Sequence, residues 1–367
     1  MHYFDIVVVG AGLAGATAAR VAAEKSKKVL VVEQHRHIAG HCHDAKNEAG
    51  ITIHTCGPHI FHTNNKEVWD FVGRFSDFNY YQHRVLSYAE GRFIPFPIHT
   101  DTINEIFGIH ISASEVPNFL AEQVRSSSFE NPPKTFRDAI VSQVGEKLYS
   151  MFFENYTRKQ WARDPSLLSA EVAARIPVRA NRDGRYFSDT YQGIPSRGYT
   201  AMVQAMLEHP NISVMLGADW FALKSELEAP VTVFTGELDQ FFDFKYGKLE
   251  YRSLDLVLKT FDKERYQPAS VVNYPNDYDW TRITEYKYFL DENSPHTTVC
   301  FEYPKAEGEP YYIVMTKENM ERREKYMTDV AALEKTGRWL FIGRLAEYKY
   351  YNMDQVIAAA LHKTGSM

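Results

Sequence analysis

Cysteine is scarce in this chain of 367 residues, and its placement excludes two kinds of site. Cys42, Cys56 and Cys300 match neither the spacing of a zinc site nor that of a disulfide framework. His59 and His62 lie close together, but no third ligand accompanies them at a sensible spacing. The sequence therefore predicts no metal site.

Long apolar runs and an excess of positive charge are also lacking. No apolar stretch is long enough to span a bilayer, and Met1 leads directly into a strand, so we expect neither membrane insertion nor a signal peptide. The formal net charge of −6 argues against electrostatic binding of nucleic acid. We therefore expect a cytoplasmic protein of two or three domains, with a homo-oligomer left open.

The first 33 residues follow the pattern of a dinucleotide-binding unit: an apolar strand, the run Gly10-Ala11-Gly12-Leu13-Ala14-Gly15, a helix former, a second strand and then Glu33. We expect Gly10 to allow the tight turn, Gly12 to admit a pyrophosphate and Gly15 to pack the helix on the strand. Glu33 can accept hydrogen bonds from ribose hydroxyls, which disfavours NADP. This stretch leaves FAD and NAD both open.

The rest of the chain changes pattern twice. Residues 100–169 have helical periodicity, whereas residues 244–313 contain strands in which polar and apolar residues partly alternate. A late strand, Trp339 to Arg344, and a helix opening near Asn352 return to the pattern of the N-terminal unit. This order predicts a discontinuous nucleotide-binding domain with insertions.

Four segments resemble the UDP-galactopyranose mutase family and occur in its order: Gly57–Thr63, Asn155–Trp161, Arg185–Thr190 and Tyr348–Gln355. The resemblance implies FAD, active when reduced, as the cofactor. It also implies interconversion of UDP-galactopyranose and UDP-galactofuranose through an adduct between the sugar and N5 of the reduced flavin, with no net redox change.

The fold implied is α/β. It comprises a discontinuous Rossmann-like FAD-binding domain (residues 1–80, 202–242 and 328–367), an inserted helical domain (101–185, with a mobile lid at 165–177) and an antiparallel β-sheet domain (81–100, 186–201 and 243–327).

The resemblance also assigns site residues. Arginine suits a diphosphate because its planar fork binds phosphate oxygens in pairs and stays charged. The implied catalytic residues are Arg175, Arg282, His62 and Tyr350. The implied cofactor-binding residues are Gly10, Gly12, Leu13, Gly15, Glu33, Gly40, His41, His59, Ile60, Gly343, Arg344, Asn352, Met353 and Asp354. The implied ligands of the UDP-sugar are His83, Phe152, Tyr156, Thr157, Trp161, Tyr186, Phe187, Arg252, Asn273 and Tyr312.

Five positions depart from the pattern of the family: Ala39, His41, Arg197, Ile313 and Asn352. Because of these departures, the identity of the substrate stays open: the sugar could be N-acetylated or deoxy, and the nucleotide could differ from UDP. Two other interpretations are an FAD oxidoreductase of the amine-oxidase type and a non-catalytic FAD-binding protein. Two arginines directed at a diphosphate favour the mutase, because hydride transfer from an amine has no need of them.

Overall fold

The structure is a computed structural model that describes residues 4–175, 177–227 and 229–365, without the side chains of residues 174 and 175. The strands are β1 (Ile6–Val9), β2 (Val29–Glu33), β3 (Asp44–Lys46), β4 (Thr52–His54), β5 (Phe61–Thr63), β6 (Val85–Ala89), β7 (Arg92–Phe96), β8 (Tyr191–Gly193), β9 (Ile212–Leu216), β10 (Val231–Phe234), β11 (Tyr251–Phe261), β12 (Val271–Asn273), β13 (Arg282–Glu285), β14 (Thr297–Lys305), β15 (Tyr312–Ile313) and β16 (Trp339–Phe341). The helices are α1 (Leu13–Glu24), α2 (Lys66–Gly73), α3 (Thr100–Phe107), α4 (Val116–Arg125), α5 (Phe136–Tyr149), α6 (Asn155–Trp161), α7 (Tyr199–Leu207), α8 (Trp220–Leu223), α9 (Leu238–Phe241), α10 (Lys317–Glu334) and α11 (Met353–Gly365).

A parallel sheet with the order β16–β10–β1–β2–β9 forms the Rossmann-like part of the fold, as the sequence predicted. Its central strands β1 and β2 are fully buried, because helices cover both faces of a parallel sheet. On one face α1 packs between the sheet and α11. On the other face Phe234 and Phe341 pack against Tyr326 and Val330 of α10. The late strand and helix of the sequence thus join the N-terminal unit.

A second, mixed sheet has the order β15–β11–β14–β13–β12–β6–β7. Most of its neighbours are antiparallel, as predicted, but β12 runs parallel to β6. Parallel neighbours need a long crossover instead of a hairpin, and the chain between β6 and β12 passes through the helices and the parallel sheet. The sheet that was predicted as antiparallel is therefore a mixed sheet with one parallel pair of strands.

The helical segment that follows β7 contains α3 to α6. Helix α5 is interrupted at Gly145, whose φ is +79° and whose position leaves no room for a side chain, since an added Cβ would lie 2.9 Å from the carbonyl oxygen of Gln123. A π-helical turn at Ser150–Glu154 then leads into α6. This irregular turn presents Phe152 to the cavity described below.

Three predicted domain boundaries fall within helices. The boundary between 100 and 101 lies at the start of α3, and the boundary between 201 and 202 lies inside α7. The boundary between 327 and 328 lies inside α10, a helix that the sequence analysis did not identify. The division into domains remains a prediction. No helix in the described ranges is both long and apolar enough to cross a membrane.

Candidate active site

A cavity of about 250 Å³, here called the first cavity, lies at the carboxyl ends of the parallel strands. Ligands of such sheets bind at these ends. The wall includes Gly10 and Gly12 after β1, Glu33 at the end of β2, and Gly343 after β16. These segments are distant in sequence, and the register of the sheet brings their ends together.

The glycine turn of the first cavity has the shape that a bound diphosphate requires. Gly10 has a φ of +101°, which disfavours any residue with a side chain. An added Cβ at Gly15 would lie 1.9 Å from the carbonyl oxygen of Gly10, so only glycine lets α1 pack this closely. An added Cβ at Gly40 would lie 3.1 Å from the Cα of Gly12. The backbone is therefore left open at the amino end of α1, where a pyrophosphate can approach it.

Glu33 closes the turn from the neighbouring strand. One carboxylate oxygen accepts a hydrogen bond from the backbone N–H of Ala11 at 2.7 Å, and the other accepts one from the N–H of His35 at 2.8 Å. Each oxygen has a second lone pair, which a ribose hydroxyl can use. The residues of the first cavity therefore fit a dinucleotide.

Four residues line both the first cavity and a larger second cavity of about 640 Å³: His41, His59, Arg344 and Met353. Arg344 is fixed there, because it donates to the carbonyl oxygens of Tyr311 at 2.9 Å and Tyr351 at 2.8 Å. Burial lowers the pKa of His59 to about 3, so its imidazole is neutral. A ligand that starts at the glycine turn can reach the second cavity at this junction.

Arg282 supplies a fixed cation to the second cavity. Its Nε donates to Glu302 at 2.7 Å and its Nη2 to the hydroxyl of Tyr312 at 3.3 Å. Burial alone lowers the pKa of Arg282, but the Glu302 carboxylate and two tyrosine hydroxyls hold that pKa well above its ordinary value. Nη1 has no hydrogen-bond partner among the described residues, so it can donate to a ligand.

Aromatic side chains form much of the wall around this cation. Trp161 lies 6.3 Å from the ring of Tyr312 and 6.4 Å from the ring of Tyr350, measured between centroids. Burial raises the pKa of Tyr312 to about 12, so its hydroxyl is a neutral hydrogen-bond donor at ordinary pH. Burial also raises the pKa of Tyr156. The wall therefore offers rings for stacking and hydroxyls for hydrogen bonds.

Two histidines face the same cavity with different hydrogen-bond partners. Burial lowers the pKa of His83 to about 3, with a further contribution from the nearby Arg282. Its Nδ1 lies 3.0 Å from the hydroxyl of Tyr81. His62 instead places its Nδ1 3.0 Å from a carboxylate oxygen of Asp189.

The structure brings most of the predicted site residues together. On the first cavity it places Gly10, Gly12, Leu13, Glu33, Gly40 and Gly343. On the second cavity it places Ile60, His62, His83, Phe152, Tyr156, Thr157, Trp161, Tyr186, Phe187, Asn273, Arg282, Tyr312, Tyr350 and Asn352. His41, His59, Arg344 and Met353 line both.

Three predicted site residues with described side-chain positions are not among those that line the two cavities. Gly15 does not face the first cavity, but it packs against the backbone of Gly10, which does. Asp354 accepts a hydrogen bond from the hydroxyl of Thr63 at 2.9 Å. Arg252 is buried and donates from Nε to the carbonyl oxygen of Gln160 at 3.0 Å, so its cation braces α6. The side chain of Arg175 lies outside the described part of the chain, so its role and that of the lid stay predictions.

Several wall residues were missed by the sequence analysis. Ala218–Phe221 and Gly236–Glu237 line the first cavity just beyond β9 and β10, and Glu309 faces them from another loop. Ala218–Phe221 and Gly236–Glu237 could have been predicted, because both segments follow the carboxyl ends of parallel strands. Asp189 lies in a segment already noted, but nothing in the sequence pairs it with His62. No group of three side chains suited to a metal occurs in the residues that the structure describes.

Comparisons with known proteins find relatives over nearly the whole chain. The family model for UDP-galactopyranose mutase matches residues 151–350, and that for an NAD(P)-binding Rossmann-like domain matches residues 8–75. A probable UDP-galactopyranose mutase of Klebsiella pneumoniae is 38% identical, with 98% of this chain and 94% of that protein covered. A dTDP-fucopyranose mutase of Escherichia coli is 36% identical, with 97% and 96% covered. The crystal structure of a reduced UDP-galactopyranose mutase shares the fold, with a TM-score of 0.75 at 17% identity and coverage of 99% and 96%.

Proposed function

Because the chain belongs to the UDP-galactopyranose mutase family, we propose that it interconverts the pyranose and furanose forms of a nucleotide-linked galactose, with reduced FAD as its cofactor. The chain is an isomerase-class enzyme with a flavin cofactor. The sugar, the nucleotide and the reduced state are the parts that we propose. A cytoplasmic location stays a prediction of the sequence, and the oligomeric state stays open.

The fit of FAD rests on the two joined cavities. The glycine turn and Glu33 would hold the pyrophosphate and the adenosine ribose. The junction at His59, Arg344 and Met353, which line both cavities, would hold the flavin ring. When bound and reduced, FAD supplies a nucleophilic nitrogen, N5, for covalent catalysis at the anomeric carbon.

The protein must stabilise the diphosphate that leaves the anomeric carbon. The observation that carries the proposal is the placement of Arg282, whose Nε is held by Glu302 while Nη1 has no partner among the described residues. A fixed cation is complementary to the charge that develops on the leaving oxygen, and it needs no rearrangement during the reaction. The hydroxyl of Tyr312, 3.3 Å from Arg282 Nη2, is a second donor toward the same position.

The nucleoside end would lie along α6 and the turn before it. Phe152 and Tyr156 both line the second cavity, and their rings can stack on a pyrimidine. Uracil and thymine differ by one methyl group, so this wall alone does not separate UDP from dTDP. We propose UDP-galactose as the substrate, with dTDP-fucose as the alternative that the Escherichia coli relative favours.

A panel of nucleotide sugars tests the proposal. FAD-loaded protein, reduced with dithionite, is incubated with UDP-galactopyranose, UDP-N-acetylgalactosamine or dTDP-fucopyranose, and the ring forms are separated by chromatography. We expect UDP-galactofuranose from the first substrate, and conversion that is slower by about 100-fold or more in the Arg282→Ala variant. Conversion of only one of the other two nucleotide sugars would show that this sugar, and not UDP-galactose, is the substrate. A reduced, FAD-loaded protein that forms no furanose from any of them would overturn the mutase assignment.

A further inference from the structure

The imidazole of His62 is held by a carboxylate that lies just before the neighbouring strand β8. His62 lies on β5, which pairs with β8, and Asp189 comes just before β8. The distance from His62 Nδ1 to Asp189 Oδ2 is 3.0 Å, and the two side chains are only 14% and 22% exposed. The pairing of two strands therefore sets the geometry of this contact.

Asp189 is itself fixed. Its second oxygen accepts a hydrogen bond from the Asn64 side-chain amide at 3.0 Å. The Asn64 side-chain oxygen accepts in turn from the backbone N–H of Thr190 at 2.8 Å and from its hydroxyl at 3.1 Å. The carboxylate is therefore oriented from both sides, which leaves little freedom for the imidazole that it holds.

A ring also fixes the plane of the imidazole. Phe187 stacks on His62 with centroids 3.7 Å apart and an angle of 12° between the planes. His83 lies beyond Phe187, at 5.8 Å from its centroid, and is neutral because burial lowers the pKa of His83 to about 3. Asp189 is thus the carboxylate in contact with His62, and Arg282 lies beside His83.

A carboxylate only accepts hydrogen bonds, so the neutral imidazole must carry its proton on Nδ1 to make this contact. Nε2 then has a lone pair. His62 lines the second cavity, and its Nε2 has no hydrogen-bond partner in the described ranges.

We propose that Asp189 is a positioning residue, which holds His62 as the Nδ1–H tautomer so that Nε2 can take up and return a hydroxyl proton of the sugar. This role rests on the proposed mutase function, because ring opening and reclosure need a proton to move between two sugar oxygens. One hydroxyl proton passes to Nε2 and the same proton then passes to the second oxygen, so His62 ends unchanged. Asp189 accepts the Nδ1–H throughout and stabilises the imidazolium that forms in between.

The tautomer can be tested without substrate or catalysis. In protein labelled with ¹⁵N-histidine, a long-range ¹⁵N–¹H spectrum shows which ring nitrogen is protonated, and the His62→Gln variant identifies the signals. We expect Nδ1–H in the wild type and loss of that preference in Asp189→Ala. The control is Asp70→Asn, which removes an exposed carboxylate paired with Lys66. A wild-type His62 protonated on Nε2, or an unchanged tautomer in Asp189→Ala, would overturn the proposal.

Kinetics test the functional part. Asp189→Asn keeps the shape and can still accept from Asn64, so we expect normal FAD content, a KM within about twofold, and a kcat that is lower by roughly 10- to 100-fold, since general acid–base groups contribute on this order. The pH profile of kcat should change in Asp189→Asn. In the control Asp70→Asn it should be the same as in the wild type. An unchanged kcat, or a parallel loss of FAD and substrate binding, would refute the positioning role. A wild type with the expected tautomer but no mutase activity would instead refute the proposed function.

Discussion

Arg282 and Glu302 face each other across paired strands, with Arg282 Nε 2.7 Å from Glu302 Oε2. Glu302 is 1% exposed, and its other oxygen accepts a hydrogen bond from the hydroxyl of Thr284 at 3.1 Å. The register of β13 and β14 therefore fixes the direction of the cation, which turns its remaining donor toward the second cavity.

Replacing the cation should abolish most turnover without affecting the cofactor. We expect Arg282→Ala to lower kcat by about 100-fold or more, since one charge-stabilising group is worth roughly 3 kcal/mol in the transition state. FAD content, read from the flavin absorbance, should be unchanged. Arg92→Ala is the control, because Arg92 is 44% exposed and pairs with Glu90 at the surface. A kcat in Arg282→Ala equal to that of the control would contradict this role.

Adding one methyl group at the glycine turn should prevent binding of the dinucleotide. In Gly15→Ala the new Cβ would lie 1.9 Å from the carbonyl oxygen of Gly10, so α1 must move away from the turn. We expect the variant to lose FAD, measured by absorbance after gel filtration. The matched change Gly73→Ala adds the same group where nothing lies within 4 Å, and it should keep FAD. Normal FAD binding by Gly15→Ala would show that the turn is not needed.

Acid should destabilise the protein through its buried histidines. His54 is 2% exposed, its Nδ1 accepts from the backbone N–H of His59 at 3.0 Å, and burial lowers the pKa of His54 from 6.5 to about 3. The unfolded chain binds this proton at a higher pH than the folded chain does, so stability is lost as the pH falls from 6.5 to 3, by up to about 1.4 kcal/mol per pH unit.

Urea unfolding of the FAD-saturated protein between pH 7.5 and 5 measures this slope. His54→Gln should flatten it, and the exposed His362→Gln should leave it unchanged. Equal slopes in the wild type and in His54→Gln would mean that folding does not lower the pKa of His54.

Ala39 occupies a backbone conformation that favours glycine. Its φ is +75°, and its N–H donates to the carbonyl oxygen of Ala11 at 2.9 Å, next to the glycine turn. A side chain in the left-handed region costs about 1–2 kcal/mol, which exceeds the entropy that glycine adds to the unfolded chain. We expect Ala39→Gly to raise the free energy of unfolding by about 0.5–1 kcal/mol.

The opposite result is expected in a helix. Ala205→Gly in α7 should lower the free energy of unfolding by about 1 kcal/mol. If Ala39→Gly destabilises the protein by as much as Ala205→Gly does, the left-handed turn carries no strain.

The sequence predicted features that are encoded locally. The turn from Gly10 to Gly15 and Glu33 follow from spacing alone, and the structure places Gly10 and Glu33 on one cavity. Helices α3 to α6 lie within residues 100–169, where the sequence has helical periodicity. Helix α10 was missed because it is rich in charge, with buried positions only at Asn319, Tyr326 and Val330 among its described residues.

Contacts that depend on strand register could not be predicted. Arg282 and Glu302 are 20 residues apart, and His62 and Asp189 are 127 apart, so neither pair has a local signal. Arg252 was expected at the substrate, but its position on β11 turns it toward the carbonyl oxygen of Gln160. Which arginine faces the cavity is decided by the pleat and pairing of the sheet.

The ring form of the product tests the central claim most directly. FAD-loaded protein is divided into an oxidised half and a half reduced with dithionite, each is given UDP-galactofuranose, and UDP-galactopyranose is measured by chromatography. The account predicts full turnover in the reduced half, little in the oxidised half, and no consumption of reductant per product formed. Equal turnover in both halves, stoichiometric use of reductant, or an unchanged furanose would contradict it.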